Sequence, residues 1–235
     1  MKVKLIAYTP DPELVVAASA STSFKAKGPS HSFEKYSKVE EREKVKKIIR
    51  ELLKHNHLSP IEHVSFTFAL EGVSRSLTHQ LVRHRIASYT QQSQRYVKVD
   101  TSEDWFVIPK TYEGEQRKKF VERMKQIAKW YEEDLKAGIP AEDARFLLPN
   151  ATKTNIVVTM NARELYHFFN LRCCNRAQWE LREVATEMLR QVKKVAPTLF
   201  EKAGPSCVTL GFCPEGDLKP KECDIEAIKK KFEEL

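Results

Sequence analysis

Arginine, histidine and hydroxyl side chains crowd into the stretch RHRIASYTQQSQRY, which covers residues 83–96. Arginine suits phosphate binding because its planar guanidinium donates two parallel hydrogen bonds and stays charged. Serine hydroxyls complete such a cradle with further hydrogen bonds. No apolar period of a helix or a strand runs through the stretch, so we expect a basic loop. It indicates a site for a phosphorylated small molecule, with a solvated loop or a nucleic-acid patch as alternatives.

Glycine-rich phosphate loops are absent from the sequence, which contains neither GxGxxG nor GxxxxGKS/T. Such loops wrap a phosphate in backbone amides at the start of a helix. A nucleotide bound by this chain must therefore be held by side chains. The arginine candidates are Arg83, Arg85, Arg95, Arg145, Arg163 and Arg172. The hydroxyl candidates are Ser59, Ser88 and Ser93.

A second polar cluster lies in NARELYHFFNLRCCNRAQWELR, further along the chain. On a helix, Arg163, His167 and Asn170 lie on one face. The apolar residues between them indicate a largely buried helix, in which an unpaired charge is costly. An anionic ligand would supply a partner. An internal network with Glu164 or Glu180 is the alternative.

Histidines and cysteines give no strong metal signal. The segment HNHLSPIEH lacks the histidine pair four residues apart on a helix that metal sites often use, so we predict no metal there. The five cysteines form no CxxC pair. We expect them to be buried thiols. A disulfide between Cys207 and Cys213 or between Cys213 and Cys223, or a metal clip in the tail, stays open.

The charge balance favours anionic ligands, because 40 Lys and Arg face 32 Asp and Glu and the net charge is +8. Nucleotides and nucleic acid both satisfy it. With 235 residues, 41% of them hydrophobic, and no Pro/Gly/Ser-rich linker, we expect one domain over 1–235 with a tail at 205–235. No apolar run approaches the roughly 20 residues of a membrane span. We therefore expect a soluble, cytoplasmic protein.

The elements that position these residues alternate between helix and strand. Alternating apolar residues predict strands in KVKLIAYTP, in VSFTFAL and in the β-branched TNIVVTM. Helical periods predict DPELVVAASAS with Asp11 as N-cap, residues 33–55, a short helix capped at Ser74 or Ser76, residues 113–140, EDARFLLP, and a long helix over 162–195 that bends near 172–175. The class is α/β or α+β, with a mixed sheet flanked by long helices.

Three blocks of the chain resemble the flavin-dependent thymidylate synthases. That family carries RHR, seven residues and a serine, as Arg83-His84-Arg85, IASYTQQ and Ser93 do here. The upstream SPIEHVSFTF is similar to its S/T-PxEHxxFTF block. The later NAREL, FFNLR and AQWE are similar to its C-terminal helix. The blocks occur in the family's order.

The resemblance implies an enzyme that converts dUMP to dTMP. It implies methylenetetrahydrofolate as the one-carbon donor and FAD reduced by NADPH as the reductant. It also implies an α/β sheet-and-helix subunit, assembled as a homotetramer whose sites are shared between subunits. Neither nucleic acid nor a membrane is an expected partner, and no cysteine is expected to act as a nucleophile.

Site residues follow from motif positions in the resemblance. The expected FAD contacts are Ser59, Arg83, His84, Arg85, Gln91, Asn161, Arg163 and His167. The expected dUMP contacts are Gln80, Arg83, Gln91, Ser93, Gln94, Arg95, Arg145 and Arg172. Arg172 and Ser93 are the expected catalytic residues. Arg172 would stand at the uracil N3/O2 edge, where a fixed cation favours negative charge on the pyrimidine. Ser93 would lie near the uracil and orient or polarise it. His57 matches a histidine of the flavin and folate region.

The chain departs from the family pattern at Thr90 and Gln91, where Asn-Glu is common, and at His167, where asparagine is frequent. Gln91 lacks the charge of a glutamate. Two rival functions remain: a basic RNA- or DNA-binding protein without catalysis, and a catalytically inactive flavoprotein scaffold.

Overall fold

A computed structural model describes residues 1–221 and 223–235. Four strands form one sheet in the order β1-β2-β4-β3. The strands are β1 (Lys2–Tyr8), β2 (Ser65–Ser74), β3 (Ala87–Gln91) and β4 (Lys153–Asn161). Thr67 bonds Thr159 and Gly72 bonds Asn155, so the numbering of β2 and β4 runs in opposite directions. The α+β class is confirmed, and the sheet that we predicted as mixed is antiparallel.

The described residues also form ten α-helices. They are α1 (Pro12–Ser21), α2 (Pro29–Tyr36), α3 (Arg42–Lys54), α4 (Arg75–Leu81), α5 (Gly114–Lys136), α6 (Ala141–Ala144), α7 (Ala162–Arg172), α8 (Trp179–Val195), α9 (Ser206–Leu210) and α10 (Ile225–Glu233). Short 3-10 helices cover Val39–Glu41, Ser59–His63, Arg145–Leu147 and Gly216–Leu218. Within the described part of the chain, none of the helices combines the length and the apolar character that crossing a bilayer requires.

The two central strands form because alternate side chains find an apolar environment. Phe66, Phe68 and Leu70 of β2 are fully buried, and the residues between them are partly exposed. In β4 the buried apolar positions are Ile156, Val158 and Met160. Both strands were predicted from these patterns.

Strand β3 was not predicted, since we expected a loop throughout the basic stretch. Its side chains do alternate between partly buried and exposed, but most of them are polar. It lies at one end of the strand order, where a strand gains backbone hydrogen bonds from a single neighbour and needs no continuous apolar face. This edge position explains why the apolar period missed it.

Two predicted long helices are broken in the structure. Residues 33–55 divide between α2, a 3-10 turn and α3. The predicted helix over 162–195 divides into α7 and α8, at the position where we expected a bend. Gln178 starts α8 because its side-chain oxygen accepts a hydrogen bond from the Leu181 amide at 2.8 Å.

The chain divides into two compact units that interleave along the sequence. The first unit comprises Met1–Lys2, Leu70–Arg83 and Tyr89–Val157. The second unit comprises Val3–Ala69, His84–Ser88 and Val158–Leu235. One apolar cluster of the first unit gathers around Trp105, Met124 and Ala128. That the chain acts as one functional domain with a tail from residue 205 stays a prediction.

Candidate active site

The second unit holds a hydrogen-bonded chain of three polar side chains, in which His84 and Glu164 are buried and Arg172 is half-buried. The Arg172 Nε donates a hydrogen bond to His84 Nε2 at 3.0 Å. Because an arginine only donates, His84 Nε2 must be the unprotonated nitrogen. His84 Nδ1 therefore carries the proton, and it lies 3.3 Å from Glu164 Oε1. The imidazole is thus fixed between a cation and a carboxyl group, with 3% of the residue exposed.

The surroundings keep His84 neutral. Burial, followed by the positive charges of Arg172 and His167, lowers the pKa of His84 to about 4. Burial raises the pKa of Glu164, which His167 opposes. Burial also lowers the pKa of Arg172. A neutral His84 accepts from Arg172 without repelling it, so it can hold the guanidinium in one orientation.

Helix α7 carries two members of this chain, near its start and at its end. Asn161 is the N-cap of α7, and its Oδ1 accepts a hydrogen bond from the Glu164 amide at 2.9 Å. The cap fixes the first turn, and with it the Glu164 carboxyl group. Arg172 is the last residue of the helix. We weighed Glu164 only as an alternative ion-pair partner on α7, but its partner is the histidine of the RHR motif.

The other residues of the second unit that we expected to contact FAD are open to solvent. Arg163 and His167 are exposed, which corrects our expectation of buried charges on α7. Arg163 forms an ion pair with Glu62. Arg85 is exposed as well, and it has no ion pair among the described residues. Ser59 opens the 3-10 helix Ser59–His63 and lines an open cavity of about 920 Å³.

His84, Glu164 and His167 also qualify by distance as a metal-binding group, since their ligand atoms lie within 4.8 Å of one another. Their chemistry argues against it. Both ring nitrogens of His84 are already used, one by Arg172 and one by Glu164. A metal ion on this ring would also sit beside the Arg172 cation. We therefore assign the group to the positioning of Arg172.

The first unit gathers three arginines. Arg95 Nε donates to Glu142 Oε2 at 2.7 Å, and Arg145 Nε donates to the Glu142 carbonyl oxygen at 3.0 Å. Burial and the nearby charge of Arg145 lower the pKa of Arg75. Among the described residues, no carboxylate side chain bonds Arg75 or Arg145. Arg95 is paired with Glu142, but Arg75 and Arg145 concentrate positive charge that none of the described carboxylates bonds, which indicates an anion-binding group.

Arg75 was missed by sequence reasoning, although a signal existed. It is the first residue of α4, directly after the N-cap Ser74. A positive charge at a helix N-terminus opposes the helix dipole, so such an arginine suggests a role other than stabilising the helix. Glu142, which organises Arg95 and Arg145, carries no comparable signal in the sequence.

Ser93 and Gln94 lie in the turn that follows β3. The Ser93 Oγ accepts a hydrogen bond from the Arg95 amide at 3.2 Å, which fixes the backbone that carries Arg95. Gln94 lines a cavity of about 390 Å³ within the first unit. Gln80 is half-buried in α4, and Arg83 is exposed after it. The first unit thus contains the predicted dUMP contacts except Arg172.

Gln91 is held by two threonines. Its Nε2 donates to Thr78 Oγ1 at 3.2 Å and to Thr154 Oγ1 at 3.3 Å. A glutamate at this position would accept from the same hydroxyls, since a hydroxyl both donates and accepts. Gln91 is thus anchored at the end of β3, at the position where the resemblance predicted a glutamate.

Several known proteins are similar to this chain over most of its length. Residues 4–198 match the family model described as "Thymidylate synthase complementing protein". Relatives named flavin-dependent thymidylate synthase are 51% identical in Clostridium tetani, 48% in Geobacter sulfurreducens and 44% in Pyrococcus furiosus. The alignments cover 99%, 100% and 100% of this chain and 96%, 99% and 98% of the relatives. The similarity therefore spans nearly the whole of each protein.

The fold is similar to that of a solved protein, the UMP/dUMP methylase PolB from Streptomyces cacaoi in a crystal structure with 5-Br dUMP. The TM-score is 0.72 at 25% identity. The match covers 90% of this chain and 95% of the other chain. The α+β architecture is therefore shared beyond the relatives with high sequence identity.

Proposed function

The chain belongs to the flavin-dependent thymidylate synthase family, and from this premise we propose how its side chains divide the work of the reaction. The protein is an enzyme that methylates dUMP to dTMP, with FAD as its cofactor. In this family methylenetetrahydrofolate supplies the one-carbon unit and NADPH the electrons. The assignments of individual residues below are our proposals.

The exposed cations of the chain suit a dinucleotide cofactor. Arg83 and Arg85 have no ion pair among the described residues, so their guanidinium groups can bind the FAD pyrophosphate. Ser59, Asn161, Arg163, His167 and Gln91 complete the proposed FAD set. When bound and reduced, FAD supplies the reducing equivalents that turn the transferred carbon into a methyl group.

We assign the phosphate of dUMP to the arginines of the first unit. Arg75 and Arg145 bring positive charge together and bond no carboxylate side chain of the described residues, and Arg95 shares Glu142 with Arg145. A phosphate dianion would offset that charge with charge-assisted hydrogen bonds. Gln80, Arg83, Gln91 and Gln94 are the other dUMP contacts of the proposal in this unit. Ser93, the serine that follows RHR after seven residues, orients the uracil.

Arg172 is the catalytic residue of the proposal. A guanidinium at the N3/O2 edge of uracil stabilises the negative charge that the ring acquires when carbon 5 becomes nucleophilic. The observation that carries this role is the hydrogen bond from Arg172 Nε to the buried, neutral His84. It fixes the cation before substrate arrives, and such preorganisation gives electrostatic catalysis its effect. His84, which we expected to contact FAD, becomes a positioning residue.

Two measurements test the proposal. The purified protein should show the absorbance bands of bound flavin, and it should release tritium from carbon 5 of labelled dUMP when folate and NADPH are supplied. A colourless protein that takes up no added FAD would contradict the cofactor assignment. A yellow protein that releases no tritium would instead be an inactive flavoprotein.

Assembly and location extend the proposal. By family resemblance we assign the chain to a homotetramer in the cytoplasm, with subunits that share sites. Large apolar side chains that stay exposed in the single chain support an assembly, among them Phe146, Tyr96 and Ile86 at 84%, 79% and 70% exposure.

A further inference from the structure

Four of the five cysteines line one cavity of the second unit, and the reaction described above uses none of them. The cavity has a volume of about 300 Å³. The cysteines that line it are Cys174, Cys207, Cys213 and Cys223. All are free thiols. The fifth cysteine, Cys173, is buried but does not line the cavity.

Distant segments of the chain bring these thiols together. Cys174 follows the end of α7, whereas Cys207 lies in α9, more than thirty residues later. Cys213 lies in the loop after α9, and Cys223 directly precedes Asp224, the N-cap of α10. The sequence placed Cys174 on a helix beside Cys173, so it gave no reason to join Cys174 to the tail.

Polar contacts join the same two segments around the cavity. Asn175 Nδ2 lies 3.8 Å from Cys223 Sγ, at the distance of a weak hydrogen bond to sulfur. Arg176 forms an ion pair with Glu215. These contacts hold the segment after α7 against the tail. The cysteines are therefore at defined positions, and the tail is more than a loose extension.

The four thiols are near neighbours. Cys174, Cys213 and Cys223 all lie close enough to Cys207 to interact with it electrostatically. Cys207 and Cys223 are buried, and Cys174 and Cys213 are half-buried. A metal cation suits such a group, because it binds thiolates and its charge offsets the repulsion between them.

We infer that Cys174, Cys207, Cys213 and Cys223 are the ligands of a thiolate-bound metal centre, either Zn²⁺ or an iron–sulfur cluster. Soft thiolate ligands select these centres, and four cysteines are the usual ligand number for both. Each ligand thiol releases its proton to solvent when its sulfur binds metal. A cluster needs inorganic sulfide in addition to iron.

The spacing of the sulfurs bears on which centre binds. Among the described residues, no three of these cysteines have all their sulfurs within 4.8 Å of one another. A tetrahedral zinc with bonds of about 2.3 Å holds its sulfurs about 3.8 Å apart. One zinc ion would therefore draw the sulfurs inward, whereas a cluster requires less movement. The cavity volume of about 300 Å³ also accommodates more than one atom.

Such a centre would clamp the end of α7 to the tail. Arg172 lines the same cavity, two residues before Cys174. A metal bound to Cys174 would therefore restrain the backbone next to Arg172. This consequence rests on the proposed role of Arg172, but the metal site itself does not depend on that role.

Elemental analysis of the full-length protein tests the inference without reference to activity. The chain is purified without oxygen and without a histidine tag, and its zinc, iron and acid-labile sulfide are measured per chain. A sample that is reconstituted with zinc, and another with iron and sulfide, are measured alongside. About one zinc per chain identifies the first centre, and iron with matching sulfide identifies the second. Visible absorbance is unsuitable because bound flavin absorbs in the same region.

Matched variants locate the metal. In Cys207→Ser and Cys223→Ser the bound metal per chain is expected to fall at least tenfold, whereas Cys173→Ala is expected to keep the wild-type metal content. Because buried positions can impair folding, Cys213→Ser in the half-buried loop provides an independent variant, and circular dichroism checks each fold.

Three outcomes overturn the inference. The first is that neither metal binds after reconstitution. The second is that the cysteine variants bind as much metal as the wild type. The third is that the denatured, unreduced protein shows fewer than the five thiols of its sequence. The last result would indicate a disulfide among the cysteines.

Discussion

At the scale of single residues, Arg172 makes the clearest prediction. Arg172→Ala removes the cation that stabilises charge on the pyrimidine and is expected to lower dTMP formation about 100- to 1,000-fold. FAD content should stay unchanged, because Arg172 is not among the proposed FAD contacts. Arg190→Ala, which removes an arginine paired with Glu187 on α8, is the control and should keep full activity. Loss of FAD from the Arg172 variant would place the residue in the flavin site.

The arginines of the first unit make a separate prediction about binding. Arg145→Ala or Arg75→Ala removes one charge-assisted contact to phosphate, so KM for dUMP should rise about 10- to 100-fold. The kcat should change less, since the phosphate is remote from the reacting carbon. Arg123→Ala, on the exposed face of α5, serves as the control. An unchanged KM in both variants would remove the phosphate from this group.

His84 predicts how stability depends on pH. Its pKa is about 4 in the folded protein against 6.5 for the free side chain, so the unfolded chain binds more protons between these values. The contribution of neutral His84 is complete above pH 6.5 and declines toward pH 4, by up to about 3 kcal/mol. Glu164, whose pKa is raised, acts in the opposite direction.

Thermal unfolding between pH 7 and 4 measures this effect. The wild type should lose more stability on acidification than His84→Gln, which keeps an acceptor but does not titrate. His79→Gln, which changes an exposed histidine of α4, should follow the wild type. If the stability of the wild type and of His84→Gln changed with pH in the same way, His84 would already be charged at neutral pH or would be accessible to solvent. The titratable groups that face His84 are Glu164, His167 and Arg172, and none of the three is changed in these variants.

At the scale of elements, the cap of α7 links folding to the site. Asn161→Ala removes the acceptor of the Glu164 amide and should cost about 1 kcal/mol, or a few degrees in Tm. Asn161→Asp keeps a capping oxygen and should stay near the wild type in stability. If both variants lose FAD but only the alanine variant loses stability, the capping and flavin roles of Asn161 are separate. Equal stability of all three proteins would show that the cap contributes little.

The elements also show where sequence patterns succeed and fail. Strands β2 and β4 were predictable because one face of each is buried among apolar residues, and helix α5 because its apolar stripe is regular. Strand β3 was not, because an edge strand is stabilised by backbone hydrogen bonds that any side chain permits. The break between α7 and α8 depends on a glutamine cap, which composition alone does not distinguish from a helical residue.

At the scale of the whole molecule, the prediction concerns the number of subunits in the assembly. The family resemblance and the exposed Phe146, Tyr96 and Ile86 lead us to expect a homotetramer of 27.2 kDa chains. Light scattering coupled to gel filtration measures the mass directly. A series of dilutions shows whether FAD is lost together with assembly, as sites shared between subunits require. A monomer that binds FAD fully would contradict shared sites.

By itself the sequence determined the family and the reaction, and it predicted the residue types at the site. The RHR stretch, the upstream SPIEHVSFTF and the helix after Asn161 carry that information because chemistry restricts which side chains a site accepts. The absence of glycine phosphate loops also directed attention to arginines. None of this required knowledge of which residues meet in space.

The tertiary structure decided which side chains contact one another. It joined Arg172 to His84 and His84 to Glu164, and it gathered Cys174 with the cysteines of the tail. Whether a polar side chain is buried or exposed, and which group neutralises it, depends on contacts between residues far apart in the chain. Periodicity and spacing report only local order, so neither the pKa of His84 nor the cavity lined by cysteines could be predicted from them.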